Sequence, residues 1–553
     1  MHKLIATMAL STASLLGVAL LLAPGARLQA QVGPFTHADT LRGSDGPART
    51  WWDVTFYDLH TTIDLANQRI EGWNRITYRV LDPATEMQID LQMPMEIDSI
   101  VQEGQEVEYR RDGNAFFVEL LADQAAGQTK QITVYYHGVP TAAENPPWEG
   151  GFIWREDLSG NPWVATANQG LGASVWWPTK DIQSAEPDSQ RIAITVPDAF
   201  AEVSNGRLRS TTQNGDGTTT YEWFVANPIN NYNITISMGA YAHWEEEYPG
   251  ELGTLTMDFW PLAENEAAAR THWVQARSTL ECFEEWFGPF PWYEDGFKLI
   301  ETPHLGMEHQ SAVAYGNGYQ NGYLGNDLSG TGQGLTWDYI IVHETAHEWW
   351  GNSLTAADPA ENWIHEGFAT YAENLYIECL TGSKENAAEY VIGMRARIAN
   401  QLPLVGSFGV NDDGSDDIYS KGANLLHTLR QVVDDDAIWR DVLRGLQANF
   451  RHSIVTSEDI ERYISEQVGI DLSRVFEQYL RTSRIPIFEY RIDGGSASYR
   501  WGNVVDDFEM PVRVSLDVDG YVRLPATTEW QSVASEGRIQ VDPNFYVGMR
   551  RLP

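Results

Sequence analysis

Two histidines four residues apart, His343 and His347, bracket a glutamate, Glu344, in the stretch HETAHEWWGN (343–352). A helix turns every 3.6 residues, so positions i and i+4 share a face and both imidazoles can reach one metal ion. Glu344 follows the first histidine and faces the same cleft without binding the metal, where it can serve as a general base. The same five residues also fit an amphipathic helix with two histidines on one face. A catalytic zinc takes three protein ligands and keeps a fourth position for water. Glu366, eighteen residues after His347 in WIHEGFATYAE (363–373), offers the third ligand from the next predicted helix. The spacing H-E-x-x-H-x18-E is far more specific than its first five residues. It predicts one Zn²⁺ per chain on His343, His347 and Glu366, lowering the pKa of a bound water to about 7.

These residues need a scaffold, and hydrophobic periodicity outlines it. From Trp51 to Tyr241 short alternating runs separated by turn residues predict a large β domain; TYRVL (77–81), QITVYYHG (131–138) and RIAITVP (191–197) are examples. Asn214-Gly215-Asp216-Gly217 is the clearest hairpin signal. From about residue 250 the pattern changes. GTLTMDFW (253–260) and FKLIETP (297–303) read as strands, with a helix cored on Ala267 to Phe287 between them. A Gly/Asn-rich loop (316–334) leads into a helix over WDYIIVHETAHEWWG (337–351), with Gly351 as its stop. Further helices are expected at Asn362 to Leu380 and from Lys421 to Thr482. Alternation returns after residue 486. The chain thus divides into residues 1–30, a β domain at 31–245, a mixed domain carrying the histidines at 246–485, and a small β domain at 486–553.

Several ordered segments resemble the M1 zinc aminopeptidases, a family of gluzincin metallopeptidases, over about residues 50 to 485. HETAHEWWGN is similar to the family's zinc helix and WIHEGFATYAE to its third-ligand helix. HLGMEHQSAV (304–313) resembles its Gly-Ala-Met-Glu-Asn strand, and YSKGANLLHTLR (419–430) the segment with its catalytic tyrosine. QGLGASVWWPTKD (169–181) and NYNITISMGAY (231–241) resemble parts of its N-terminal domain. The resemblance implies a multi-domain α+β fold: an all-β saddle-like N-terminal domain, a thermolysin-like α/β catalytic domain and a small C-terminal β domain. It implies that Tyr419 donates to the oxyanion. It makes Glu308, with Gln169 and the backbone at Gly306, the binding site for a substrate's free α-ammonium. The strand here reads Leu305-Gly306-Met307-Glu308-His309, so the glycine is displaced by one and His replaces Asn. His309 is either a pH-sensitive neighbour of Glu308 or a packed side chain. The implied activity is zinc-dependent hydrolysis of N-terminal residues from peptides. The alternatives are a relative that opens epoxides and a catalytically silent peptide-binding protein on the same scaffold. Nothing after residue 485 has helical period, which predicts a cleft without a helical roof that admits longer peptides.

Composition bounds the partners. The 553 residues carry 77 acidic against 37 basic side chains, a net charge of −40 with only six lysines. Such a surface repels nucleic acid and anionic membranes. It also resembles the surfaces of proteins from salty habitats, which predicts stability that rises with salt. Leu4 to Ala23 form an apolar run, broken by Pro24-Gly25 and followed by Leu28-Gln29-Ala30, the pattern of a secretory signal peptide with Gln31 as the first mature residue. The expectation is an exported protein, periplasmic or secreted, with no stable membrane insertion once the signal is removed. Export permits a disulfide between Cys282 and Cys379, while two buried thiols fit the sequence equally.

Overall fold

The computed structural model describes residues 35–553 apart from 123, 413, 517–519 and 536. The expected signal peptide lies outside the described residues. Among those residues no helix is long and apolar enough to cross a membrane.

The N-terminal part is built on an eight-stranded sheet centred on Trp52–Asp64. That strand pairs antiparallel with Arg69–Val80 and parallel with Ser189–Pro197. Its inward positions, among them Trp52, Val54, Tyr57 and Leu59, are buried, as a strand with one face on a core requires. The hairpin between Arg207–Gln213 and Thr218–Val225 turns at the predicted residues. Gly215 and Gly217 both take positive φ there (82° and 91°), a backbone that other side chains rarely adopt. A four-stranded sheet that includes Gly151–Glu156 and Pro162–Ala167 lies beside it. Tryptophans 176 and 177 are fully buried in the same core.

The middle of the chain is a five-stranded sheet covered by helices. Its first strand is Trp244–Gly250, so the sheet begins slightly ahead of residue 246. The strands Gly253–Trp260 and Phe297–Glu301 sit where the alternation predicts them. The helical stretch around Ala267 to Phe287 is two helices, Glu266–His272 and Gln275–Phe287. The helix Gln275–Phe287 and the long helix Trp363–Thr381 are joined by a disulfide between Cys282 and Cys379, which decides between the two readings of those cysteines. A helix at Lys384–Gly393, capped by Ser383, was not expected from the pattern. The helix bearing Tyr419 runs from Asp417 to Val433 and therefore starts before Lys421.

The histidine-bearing helix is shorter than its sequence suggests. It runs from Tyr339 to Ala346, and residues 347–353 turn rather than continue to Gly351. His347 keeps helical dihedrals (φ −64°, ψ −19°), and its Nδ1 bonds the carbonyl of Trp350 at 2.8 Å. That bond draws the following carbonyl toward the ring. Gly351 reverses the chain at φ 116°. The start of the helix is fixed by Asp338. One carboxylate oxygen accepts from the backbone N–H groups of Ile340 and Ile341, at 2.9 and 3.1 Å. The other accepts from the Tyr315 hydroxyl at 2.8 Å. The cap thus ties the helix to a strand of the sheet.

Residues 487–551 form two small antiparallel-rich sheets, as the returning alternation predicts. They pack on the Tyr419 helix through His427 with Asn544, and through Thr428, whose hydroxyl accepts from the Tyr546 backbone N–H.

Candidate active site

His343, His347 and Glu366 converge. The two Nε2 atoms are 3.3 Å apart, and each lies 3.4 Å from Oε2 of Glu366. All three side chains are buried. Tetrahedral zinc with bonds of about 2.0–2.1 Å spans edges of about 3.3–3.4 Å, so the triangle has the size that such an ion requires. Glu366 Oε2 is buried and accepts no hydrogen bond among the described residues, as a lone pair reserved for a cation would. The donor set, two imidazoles and one carboxylate, is that of a catalytic zinc site.

A second layer orients these ligands. His343 Nδ1 bonds Glu373 Oε1 at 2.7 Å, and Glu373 Oε2 accepts from the Tyr390 hydroxyl at 2.6 Å. His347 Nδ1 bonds the Trp350 carbonyl. With both Nδ1 atoms engaged, both Nε2 atoms point inward, toward the position a cation would take. Burial opposes charge on both imidazoles, yet Glu366 and Glu373 push His343 well above the ordinary range, and Glu366 pushes His347 up to about 9. Burial likewise opposes ionisation of Glu366, but the facing imidazoles outweigh it and hold the carboxyl far below its usual range. A field that favours two imidazolium protons also favours a divalent cation in their place. Sequence reading missed Glu373 and Tyr390. Glu373 stands seven residues after Glu366, two helical turns along the same face, and that spacing was its only signal.

Glu344 lies against the same centre. Burial pushes its carboxyl up to about 7, His343 counteracts, and Glu308 adds to the rise. Gly306 sits over it. A Cβ there would stand 2.8 Å from Ile340 Cγ2 and 2.9 Å from Glu344 Oε1. The displaced glycine of this strand therefore leaves room for the Glu344 carboxylate.

Tyr419 lies in the first turn of its helix, its ring 6.1 Å from that of His343 and nearly parallel to it. Two glycines allow this approach. A Cβ at Gly422 would come within 2.8 Å of the Gly367 Cα, so the Tyr419 and Glu366 helices cross with their backbones almost touching.

Glu308 is buried beside this group. One ligand atom each from Glu308, Glu344 and His347 fall within 4.8 Å of one another. Its Oε1 accepts from Gln169 Nε2 at 2.6 Å and from the Tyr232 hydroxyl at 3.0 Å. Gln169 also reaches Glu366 Oε1 at 3.4 Å. His309 is a packed side chain. It is buried, edge-on to His304 at 6.4 Å between ring centres, and burial holds it well below the ordinary imidazole range.

Residues 274–479 match the model of the Peptidase family M1 domain. The chain is 23% identical over 354 residues to a leucyl aminopeptidase of Saccharolobus solfataricus, covering 60% of this chain and 43% of that protein. It is 24% identical over 338 residues to aminopeptidase B of Rattus norvegicus, covering 57% and 48%. It thus spans less than half the length of these curated relatives. In fold it is similar to an M1 zinc metallopeptidase from Deinococcus radiodurans, with a TM-score of 0.67 at 21% identity, over 79% of this chain and 95% of that one. A two-domain M1 zinc metallopeptidase mutant bound to L-tryptophan superposes with a TM-score of 0.68 at 21% identity, over 79% and 96%.

Proposed function

We propose that the chain, whose residues 274–479 match the Peptidase family M1 domain, is a zinc-dependent aminopeptidase that removes N-terminal residues from peptides. The observation that carries this reading is the placement of Glu308. It is a buried carboxylate beside the His343, His347 and Glu366 group, held on one oxygen by two uncharged donors. Its other oxygen is left for a substrate's α-ammonium. An anion fixed that close to the reacting centre aligns only the first peptide bond.

His343, His347 and Glu366 would hold the zinc, which when bound polarises the scissile carbonyl and supplies water that ionises near neutral pH. Glu344, whose buried carboxyl sits near 7, takes the proton of the attacking water and delivers it to the leaving amine. The Tyr419 hydroxyl donates to the oxyanion as the carbonyl carbon becomes tetrahedral. One such donor contributes roughly 3 kcal/mol. Glu308 binds the α-ammonium, and Gln169 bridges the Glu308 and Glu366 carboxylates, its amide donating to both. Peptides with a free N-terminus are the substrate class.

Export is part of the proposal. The apolar N-terminal run and the Cys282–Cys379 disulfide support it, because disulfides persist in oxidising compartments. Sequencing the mature N-terminus is expected to give Gln31.

The activity test uses aminoacyl-arylamides and their N-acetylated forms, each with chelator and with zinc restored. Cleavage of free-amine substrates alone, lost with chelator and regained with zinc, is the expected result. Equal cleavage of blocked substrates would remove the exopeptidase reading, and zinc binding without any cleavage would leave a peptide-binding protein.

A further inference from the structure

The turn at residues 230–233 in the β domain holds Glu308 in two ways. Asn230 caps it, accepting from the Tyr232 backbone N–H at 3.3 Å. From this turn the Tyr232 hydroxyl reaches Glu308 Oε1 at 3.0 Å. From the next residue, Asn233 Nδ2 donates to Asn352 Oδ1 at 2.8 Å, and Asn352 Nδ2 donates to the Glu308 carbonyl at 2.8 Å. One short turn therefore fixes both the backbone and the carboxylate of this residue.

The chemistry of the two side-chain contacts matters more than their number. Gln169 and Tyr232 both donate to the same oxygen, Oε1. Both are neutral, so they orient the carboxylate without cancelling its charge. A lysine or arginine in either place would compete with the substrate ammonium for that charge. Tyr232 is a donor at any working pH. Burial, with the carboxylates of Glu308, Glu366 and Glu186 nearby, drives its hydroxyl well above the ordinary tyrosine range, so it stays protonated. A protonated phenol against a buried carboxylate has one role open to it, that of donor.

We propose that Tyr232 is a positioning residue for substrate selection: its hydroxyl, with the Gln169 amide, saturates one oxygen of Glu308 and so presents the other to the α-ammonium. The role rests on the aminopeptidase reading above. It assigns the β domain a direct part in exopeptidase selectivity, because both donors come from that domain and the carboxylate comes from the other. Tyr232 lies in NYNITISMGAY (231–241), where it looks like any tyrosine at a strand entry.

The test is Y232F, which removes the hydroxyl and keeps the buried ring. KM for an aminoacyl-arylamide is expected to rise about tenfold, with kcat within about threefold of the wild type. Zinc content should be unchanged. The same substitution is then made in an E308Q background, where the hydroxyl has lost its ionised partner, and there it should add less than about twofold. A tyrosine that merely packs would lower activity equally in both backgrounds, and that outcome overturns the proposal. So does an unchanged KM in Y232F. Should Y232F fail to fold, Tyr232→Met fills similar apolar space without a donor and carries the same comparison. The wild-type arm separates the two layers. If the wild type cuts N-acetylated substrates equally well, the aminopeptidase reading fails and this role fails with it. If the wild type is selective and Y232F has the same KM, only the role of Tyr232 fails.

Discussion

The crossing of Gly367 and Gly422 predicts a change that removes the proposed activity without touching a reacting group. In Gly422→Ala the new Cβ would sit 2.8 Å from the Gly367 Cα, while ordinary contact begins near 3.4 Å. The obstacle is backbone, so no side chain can swing aside. The Asp417–Val433 helix must therefore retreat by about 0.6 Å, or tilt to the same effect, and Tyr419 is carried with it. Overpacking of this kind costs about 1–3 kcal/mol of stability. That is small enough for the protein to stay folded, braced by the disulfide on the opposing helix. The catalytic effect is larger. A displacement near 1 Å at a positioned group can cost on the order of 10²-fold, so kcat is expected to fall by about ten- to a hundredfold. Zinc stoichiometry should hold, since none of His343, His347 and Glu366 is on the moving helix. The assay is steady-state hydrolysis of an aminoacyl-arylamide by protein of verified zinc content, repeated in a Y419F background. With the hydroxyl already gone, G422A should cost little more. Full activity in a folded, zinc-loaded G422A protein would refute the reasoning, as would equal losses in the two backgrounds.

Four further outcomes follow from the same geometry. Gly306→Ala places a methyl against Ile340 and the Glu344 carboxylate; kcat should drop at least tenfold with zinc retained, and normal turnover would show that the strand yields freely. Glu373→Gln removes the ionised partner of His343 Nδ1 and should weaken zinc binding about 10- to 100-fold in a chelator competition; unaltered affinity would mean that the outer carboxylate has no hold on the ligand. His304 is buried, and burial holds its pKa down to about 4. The unfolded chain therefore takes up its proton first. The stability His304 contributes is present above about pH 6.5 and is lost as pH falls toward 4, up to about 3 kcal/mol. Urea midpoints of His304→Leu should accordingly fall less between pH 7 and 4.5 than those of the wild type, and parallel curves would contradict this. Finally, with a net charge of −40, the melting temperature should climb between low and molar salt as self-repulsion is screened; a flat response would dismiss the salt-adapted reading of the surface.

The sequence by itself located the candidate metal ligands, the candidate base and the alternation of β and helical regions, because each is written in local spacing. His343 and His347 share a face through helical period, and Glu366 follows on the next helix at a distance a short connection can close. Alternation with turn residues outlined both β regions, and the 214–217 hairpin turns where its glycines allow. Where local signals misled, tertiary contacts had intervened. The helix expected through Gly351 stops at Ala346, where the His347 ring engages the Trp350 carbonyl, a bond no propensity encodes. The pairing of Cys282 with Cys379 depends on two helices meeting across 97 residues of chain. Glu373, Tyr390 and Tyr232 acquire their roles only through partners distant in sequence, and a buried tyrosine reads the same in any core. The approach of Tyr419 to His343 was decided by two glycines on different helices. Either glycine taken alone reads as a weak point in a helix, and only the crossing shows that the missing side chains let the helices meet.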